Sequence, residues 1–251
     1  MKSEEIKQAV KERYDKVAKT SSSCCGPSCG CSSPDEQGIT FDLNSSYKTM
    51  DAAISEVADL GLGCGIPVEF ADFHQGMTVL DLGSGAGIDV FFAAKAVGPT
   101  GHAIGLDMTE SMIERASANR EKLGLLNTEF RLGEIENMPV ESNSIDRVLS
   151  NCVINLVPDK LKSFQEIYRV LKPGGSFVIS DTVSIGNIPQ SVRENTELWG
   201  ACVAGSLEKS DYLETIRKAG FKSVEILKAK RYPVPAIVTF GIESITVRGT
   251  K

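Results

Sequence analysis

No run of apolar residues in this 251-residue chain approaches the roughly 18 needed to cross a bilayer; the stretch from Val90 to Ala94 stops at Lys95. No membrane association is therefore expected. Nor does the chain open on an apolar export segment. Met1-Lys2-Ser3-Glu4-Glu5 leads into charged helix, which argues against secretion and for a cytoplasmic protein. A basic excess is missing too. Lysine and arginine number 27 against 33 acidic residues, a net charge of −6, so composition offers no electrostatic footprint for a nucleic-acid partner. Histidine is scarce, with only two. No internal repeat is visible. What is present, 41% hydrophobic and 24% charged residues, excludes a wholly disordered chain and suits one large domain with appendages.

Cysteine is the anomaly. Seven thiols, an odd number, in a chain without an export signal do not make a disulfide framework. Each is a metal ligand, a reactive group or a small core residue.

The organisation is read from periodicity. Ile6, Val10, Tyr14 and Val17 form one apolar stripe on a helix from Glu4 to Lys19, giving an N-terminal helical extension over 1–19. Residues 20–46 are a Cys/Ser/Gly-rich segment, punctuated by proline and glycine, that buries too little to fold by itself and reads as mobile. Residues 47–251 then read as one α/β domain. A short helix spans about Tyr47 to Leu60, with Met50, Ile54 and Val57 facing inward, and ends in Gly61-Leu-Gly63-Cys64-Gly65. Strands follow at Met77–Leu82, Gly101–Asp107, Thr128–Leu132, Ile145–Ser150 and Ser176–Ser180, alternating with helices to Val97, at Ser111–Leu123 and at Lys160–Leu171. Helices near Ser191–Val203 and Ser210–Ala219 precede two closing strands, Val224–Arg231 and Ile237–Arg248. This alternation predicts a doubly wound, mostly parallel, Rossmann-like sheet with helices on both faces and an insertion around 183–207.

Between the first strand and its helix lies Val79-Leu-Asp81-Leu-Gly83-Ser84-Gly85-Ala-Gly87. Gly83 permits a tight turn, Gly85 and Gly87 let a ligand approach backbone, and the free N–H groups of the helix start favour an anion. Asp107 ends the second strand, placed to accept both hydroxyls of a ribose. A dinucleotide loop would want a third glycine where Ile88 stands, and Asp81 would repel a pyrophosphate while suiting a cationic amino-acid moiety. Glycines serving only the turn are the plain alternative. The arrangement resembles motif I of the class I S-adenosylmethionine-dependent methyltransferases, and Lys172-Pro-Gly-Gly175 before the fifth strand resembles that family as well.

Three thiols decide the substrate. Cys64 lies in the glycine-rich loop before the first strand, Cys152 just after the fourth, and Cys202 in the insertion after the fifth. Ligands of doubly wound sheets bind outside the carboxyl ends of the strands, so Cys152 falls near the transferable methyl group, and all three can converge there. Gly63-Cys64-Gly65, Ser150-Asn-Cys152-Val-Ile-Asn-Leu-Val157-Pro-Asp-Lys160 and Trp199-Gly-Ala-Cys202-Val-Ala-Gly205 are closely similar to the arsenite methyltransferases, from about Tyr47 to Phe221. The resemblance implies that Cys152 and Cys202 hold trivalent arsenic, and that Cys64 acts as a further thiol exchanging with one from the N-terminal segment. There the pattern departs from the family: Cys24, Cys25, Cys29 and Cys31 crowd where one is expected, without the paired spacing of a zinc knuckle. Cys31 is the choice as the nearest to Cys64. The resemblance further implies that Met108 lines the adenine, that Glu134 and Ile135 contact the base amine, and that Asn151 presents backbone near the methionine part.

The chemistry agrees. Soft thiolates select a thiophilic centre. Arsenic bound to sulfur keeps a lone pair that can attack a sulfonium methyl with no proton to remove, so no general base is needed; His74 and His102 both read as structural. The expectation is an arsenite methyltransferase acting in detoxification, with glutathione or thioredoxin as thiol reductant and the chain a monomer. The rival readings are a methyltransferase of a small organic carbon or oxygen acceptor, and a non-enzymatic thiol-rich metalloid binder.

Overall fold

Alternate residues of the strands face opposite sides, and both sides are apolar, which is the pattern of a sheet covered on two faces. The computed structural model describes residues 2–19, 47, 50–233 and 239–251. Its strands are β1 (Thr78–Leu82), β2 (His102–Asp107), β3 (Thr128–Leu132), β4 (Ile145–Asn151), β5 (Leu171–Ile185), β6 (Ser223–Arg231) and β7 (Gly241–Thr250). They form one sheet in the order β3-β2-β1-β4-β5-β7-β6. The first five are parallel, and β7 runs antiparallel between β5 and β6. Leu80, Leu82, Leu106 and Val148 pack with Phe164, Ile167 and Tyr212 on one face. Val79, Ala103, Leu149 and Val178 pack with Val90, Ala94 and Val97 on the other.

The helices are α1 (Ser3–Lys19), α2 (Ala52–Ala58), α3 (Ile88–Val97), α4 (Glu110–Leu123), α5 (Lys160–Val170), α6 (Gln190–Arg193), α7 (Thr196–Gly200) and α8 (Lys209–Lys218). Among the described residues no helix is long and apolar enough to cross a membrane. The chain leaves β1 toward β2 and β3 on one side, then returns to β4 on the other. The loops at the carboxyl ends of β1 and β4 therefore splay apart and leave a crevice between them.

Three expected elements differ. Of the helix placed at Tyr47–Leu60, the described residues hold α2, which starts where the Asp51 side chain accepts from the N–H groups of Ala53 and Ile54, while residues 48 and 49 lie outside the described residues. Tyr47 is buried outside it, and Met50, expected to face inward, is 40% exposed. The fifth strand runs beyond Ser180 to Ile185, since β7 pairs with it continuously from Ser176 to Ile185. The helix expected at Ser191–Val203 is two short ones, broken where the Asn195 side chain caps α7 through Glu197 and Leu198 N–H. Residues 237 and 238 of the expected last strand lie outside the described residues, as does the whole of 20–46.

Candidate active site

The glycine loop is shaped by three left-handed backbones, Gly83 (φ 67°), Gly85 (φ 51°) and Gly87 (φ 95°). A side chain at Gly83 would strike Val153, and one at Gly87 would strike Phe91 and Phe130. Gly87 thus closes the α3–β3 packing and is absent from the cleft wall, unlike Gly85, whose missing side chain leaves open space. The cleft, about 1160 Å³ with the solvent-open space at its mouth, is lined by residues that include Asp81, Gly83, Ser84, Gly85, Asp107, Met108, Glu134, Ile135, Asn151 and Cys152. Of the expected cofactor contacts only Gly87 stands apart. Asp107 accepts from Gly85 N–H at 3.0 Å and Thr109 N–H at 2.9 Å, while burial still raises its carboxyl. Ser84 Oγ, buried on the cleft wall, has no hydrogen-bond partner among the described residues. An open glycine position and an orphaned hydroxyl fit a polar ligand, and the acidic lining fits a cationic one.

That acidity is stronger than the sequence reading allowed. Asp89, on the first turn of α3, also lines the cleft. Burial, then Asp89 and Asp107, push the Asp81 carboxyl well up. Burial lifts Asp89 to about 7, against hydrogen bonds from Tyr47 and Asn151. Tyr47 Oη donates to Asp89 Oδ1 at 2.8 Å. Asn151 Nδ2 donates to Tyr47 Oη at 2.7 Å and to Gly65 O at 2.8 Å. Its Oδ1 accepts from the N–H groups of Cys64 and Gly65, both at 3.2 Å. Asn151 was expected to offer backbone; its side chain is what ties the Cys64 loop to β4.

Cys64, Cys152 and Cys202 fall in one buried cluster, 3%, 3% and 5% exposed, with Ile6, Val10 and Leu156. All three are free thiols. Cys152 makes side-chain contact with both Cys202 and Cys64; those neighbours and then burial push its thiol well up. Burial raises Cys64. Cys152 reaches the cleft wall and the other two stand behind it. Cys152 (φ 60°) and Cys202 (φ 61°) both hold left-handed backbone, a strained state for residues with a side chain. Cys152 N–H is pinned to Ser180 O at 2.8 Å, and Cys202 O accepts from Thr182 Oγ1 at 2.7 Å and Ser206 Oγ at 3.0 Å. Among the described residues no three His, Cys, Asp or Glu side chains form a ready metal cage. Cys24, Cys25, Cys29 and Cys31 lie outside the described residues.

Helix α1 covers the thiols. Ile6 and Val10 pack on them, Val10 and Tyr14 also line the cleft, and Lys7 Nζ bridges Glu134 at 2.7 Å and Glu136 at 2.5 Å. The stripe was legible as a helix, but not as a wall of the site. Below the thiols, Asn155 Nδ2 faces Cys152 Sγ at 3.7 Å and donates to Asp181 Oδ1 at 2.5 Å. Asp181 Oδ2 accepts from Tyr212 Oη at 3.0 Å. Neither histidine lines the cleft: His74 Nδ1 meets Asp72 O, and His102, at the amino end of β2, faces Glu129.

Comparison with known proteins adds to this geometry. The sequence profile of the methyltransferase domain matches residues 73–220. An arsenite methyltransferase of Halobacterium salinarum is 45% identical over 231 residues, covering 89% of this chain and 59% of that protein. Its counterpart in Mus musculus is 35% identical, covering 87% and 58%. The crystal structure of an arsenic(III) S-adenosylmethionine methyltransferase from Chlamydomonas reinhardtii superposes with a TM-score of 0.70 at 38% identity, covering 80% of this chain and 71% of that one. The chain spans a little under three-fifths of the length of these two curated relatives.

Proposed function

Since the chain belongs to the arsenite methyltransferase family, we propose that it moves methyl groups from S-adenosylmethionine to trivalent arsenic held by its own thiols. The observation that carries this reading is the meeting of Cys64, Cys152 and Cys202 in one cluster, with Cys152 on the wall of an acidic cleft. Cys152 and Cys202 hold the arsenic and Cys64 supplies a third sulfur; soft sulfur donors and a thiophilic centre suit one another. Bound in the cleft, the cofactor supplies an activated methyl group. Asp107 takes the ribose hydroxyls, the Asp81–Asp89 end takes the methionine ammonium, and Met108, Glu134 and Ile135 surround the adenine.

Cys64 and Cys152 are held in the thiol form, because burial and crowding by neighbouring thiols raise both. Each proton leaves with the thiol that the arsenic gives up when it changes partners. The arsenic lone pair then needs no base, which suits a cleft lined by neither histidine. Each methyl addition oxidises arsenic formally, so a thiol reductant such as glutathione or thioredoxin returns it to the trivalent state. The biological role in this reading is arsenic detoxification.

Purified protein given methyl-labelled S-adenosylmethionine, arsenite and glutathione should label arsenic, and Cys152→Ser should stop it. Absence of arsenite-dependent labelling in the wild type would sink the proposal. Methylation of an organic acceptor that survives Cys152→Ser would replace it.

A further inference from the structure

A buried carboxylate lies under the thiols, and neither cofactor binding nor arsenic binding uses it. Asp181 is fully buried on β5, one residue past the Asn151–Ser180 pair that ends the β4 register. Its Oδ1 accepts from Asn155 Nδ2 at 2.5 Å and Thr182 N–H at 2.9 Å, and its Oδ2 from Tyr212 Oη at 3.0 Å. Asn155, also fully buried, turns the same Nδ2 toward Cys152 Sγ at 3.7 Å, while its Oδ1 has no partner among the described residues. One amide nitrogen therefore separates the carboxylate from the sulfur on the cleft wall. The neighbouring cation, Lys160, acts on the carboxylate through space, but its Nζ donates to Asn155 O at 3.0 Å and Val157 O at 2.9 Å. A carboxylate kept from water is costly to hold unless a positive charge comes near it.

Methyl transfer brings a further positive charge, on the thiol side of Asp181. The arsenic lone pair forms the As–C bond as the C–S bond breaks, and the electrons of that bond stay on the departing sulfur. The positive charge carried by the sulfonium before the reaction ends on arsenic. It therefore develops at the thiol cluster, in a site with little water, where a fixed opposite charge counts most. We infer that Asp181 is the counter-charge for the methylated arsenic cation, with Asn155 as the positioning residue that keeps carboxylate and Cys152 in register. This rests on the substrate reading above.

Asp181→Asn keeps the shape and removes the charge. With arsenite and glutathione saturating, its single-turnover methyl transfer should fall about 10- to 100-fold, while Kd for arsenite and for S-adenosylmethionine stays within about threefold. A rate equal to wild type overturns the inference; so does a loss of arsenite affinity that accounts for the whole decline, since that is a structural role. If Asp181→Asn does not fold, the exchange variant Asn155→Asp/Asp181→Asn carries the test. It keeps one carboxylate beside Cys152 and should retain transfer within about tenfold of wild type, a larger loss in folded protein counting against the idea. Wild-type protein that binds arsenite and never methylates it removes the proposed function itself, and this inference with it.

Discussion

The backbone N–H of Cys64 donates to Asn151 Oδ1 at 3.2 Å, across 87 residues of sequence. A thiol loop that precedes the sheet is thereby fastened to the end of its fourth strand. Asn151→Ala should unfasten it. Two N–H groups, one carbonyl and the Tyr47 hydroxyl lose this partner, and stability in urea should drop by about 2–3 kcal/mol. Arsenite-dependent methylation should slow at least about tenfold, because the third sulfur is no longer held. Unchanged turnover in a destabilised variant would separate Cys64 from the chemistry.

Asp89 gives a pH signature. Burial raises its folded carboxyl to about 7. Between the unfolded value, about 4, and 7 the folded state thus holds a proton that the unfolded state has lost. Its contribution to stability is full below the unfolded value and is lost as pH climbs toward 7. A cation bound beside it favours the ionised form, so Kd for S-adenosylmethionine should tighten about tenfold from pH 6 to pH 8. Calorimetry at the two pH values checks this, and Asp89→Asn should flatten the dependence.

The glycines of the loop should part company. Gly85→Ala enters open space, so the protein should fold with a cost of about 1–2 kcal/mol for the left-handed backbone. The added methyl projects where the ligand belongs, and cofactor affinity should fall at least about tenfold. Gly87→Ala should instead destabilise outright, through Phe91 and Phe130. Thermal melts and cofactor titrations on the pair settle it; equal cofactor affinity in wild type and Gly85→Ala would contradict the assignment.

Helix α1 packs over thiols that are at most 5% exposed, so loosening it should ease the entry of the proposed substrate. Lys7→Ala cuts the ties to Glu134 and Glu136 and should speed arsenite association several-fold. Stability should move by less than about 1 kcal/mol, as befits ion pairs near a surface. Trp199, the single tryptophan, packs on the thiol cluster and offers the fluorescence signal for stopped flow. An association rate identical to wild type would show that entry lies elsewhere.

What was legible followed from local pattern. Val79–Leu82 and its neighbours announce buried strands, and Asp81, the glycines and Asp107 sit at fixed offsets from them. The loop positions of Cys64, Cys152 and Cys202 follow once those strands are ordered. The rest was hidden because it is non-local and polar. Tyr47 and Asp89 are 42 residues apart, Tyr47 and Asn151 104. Asn155, Asp181 and Tyr212 come from a short 3-10 turn, a strand and a helix that meet only after folding. Periodicity reports which face is buried, not which polar atoms find each other there. Met50 shows the converse: its spacing suited an inner face, but the cap at Asp51 began the helix one turn later.

Cys152 and Cys202 sit where glycine would rest more easily. Their backbone conformation is thus set when the chain folds, rather than when a guest arrives. Trivalent arsenic is pyramidal, with three bonds on one side and its electrons on the other, and it tolerates little distortion of that form. Under the proposed function, thiols carried on strained backbone should take a three-bonded guest more readily than an ion that prefers two bonds in a line or four around a centre.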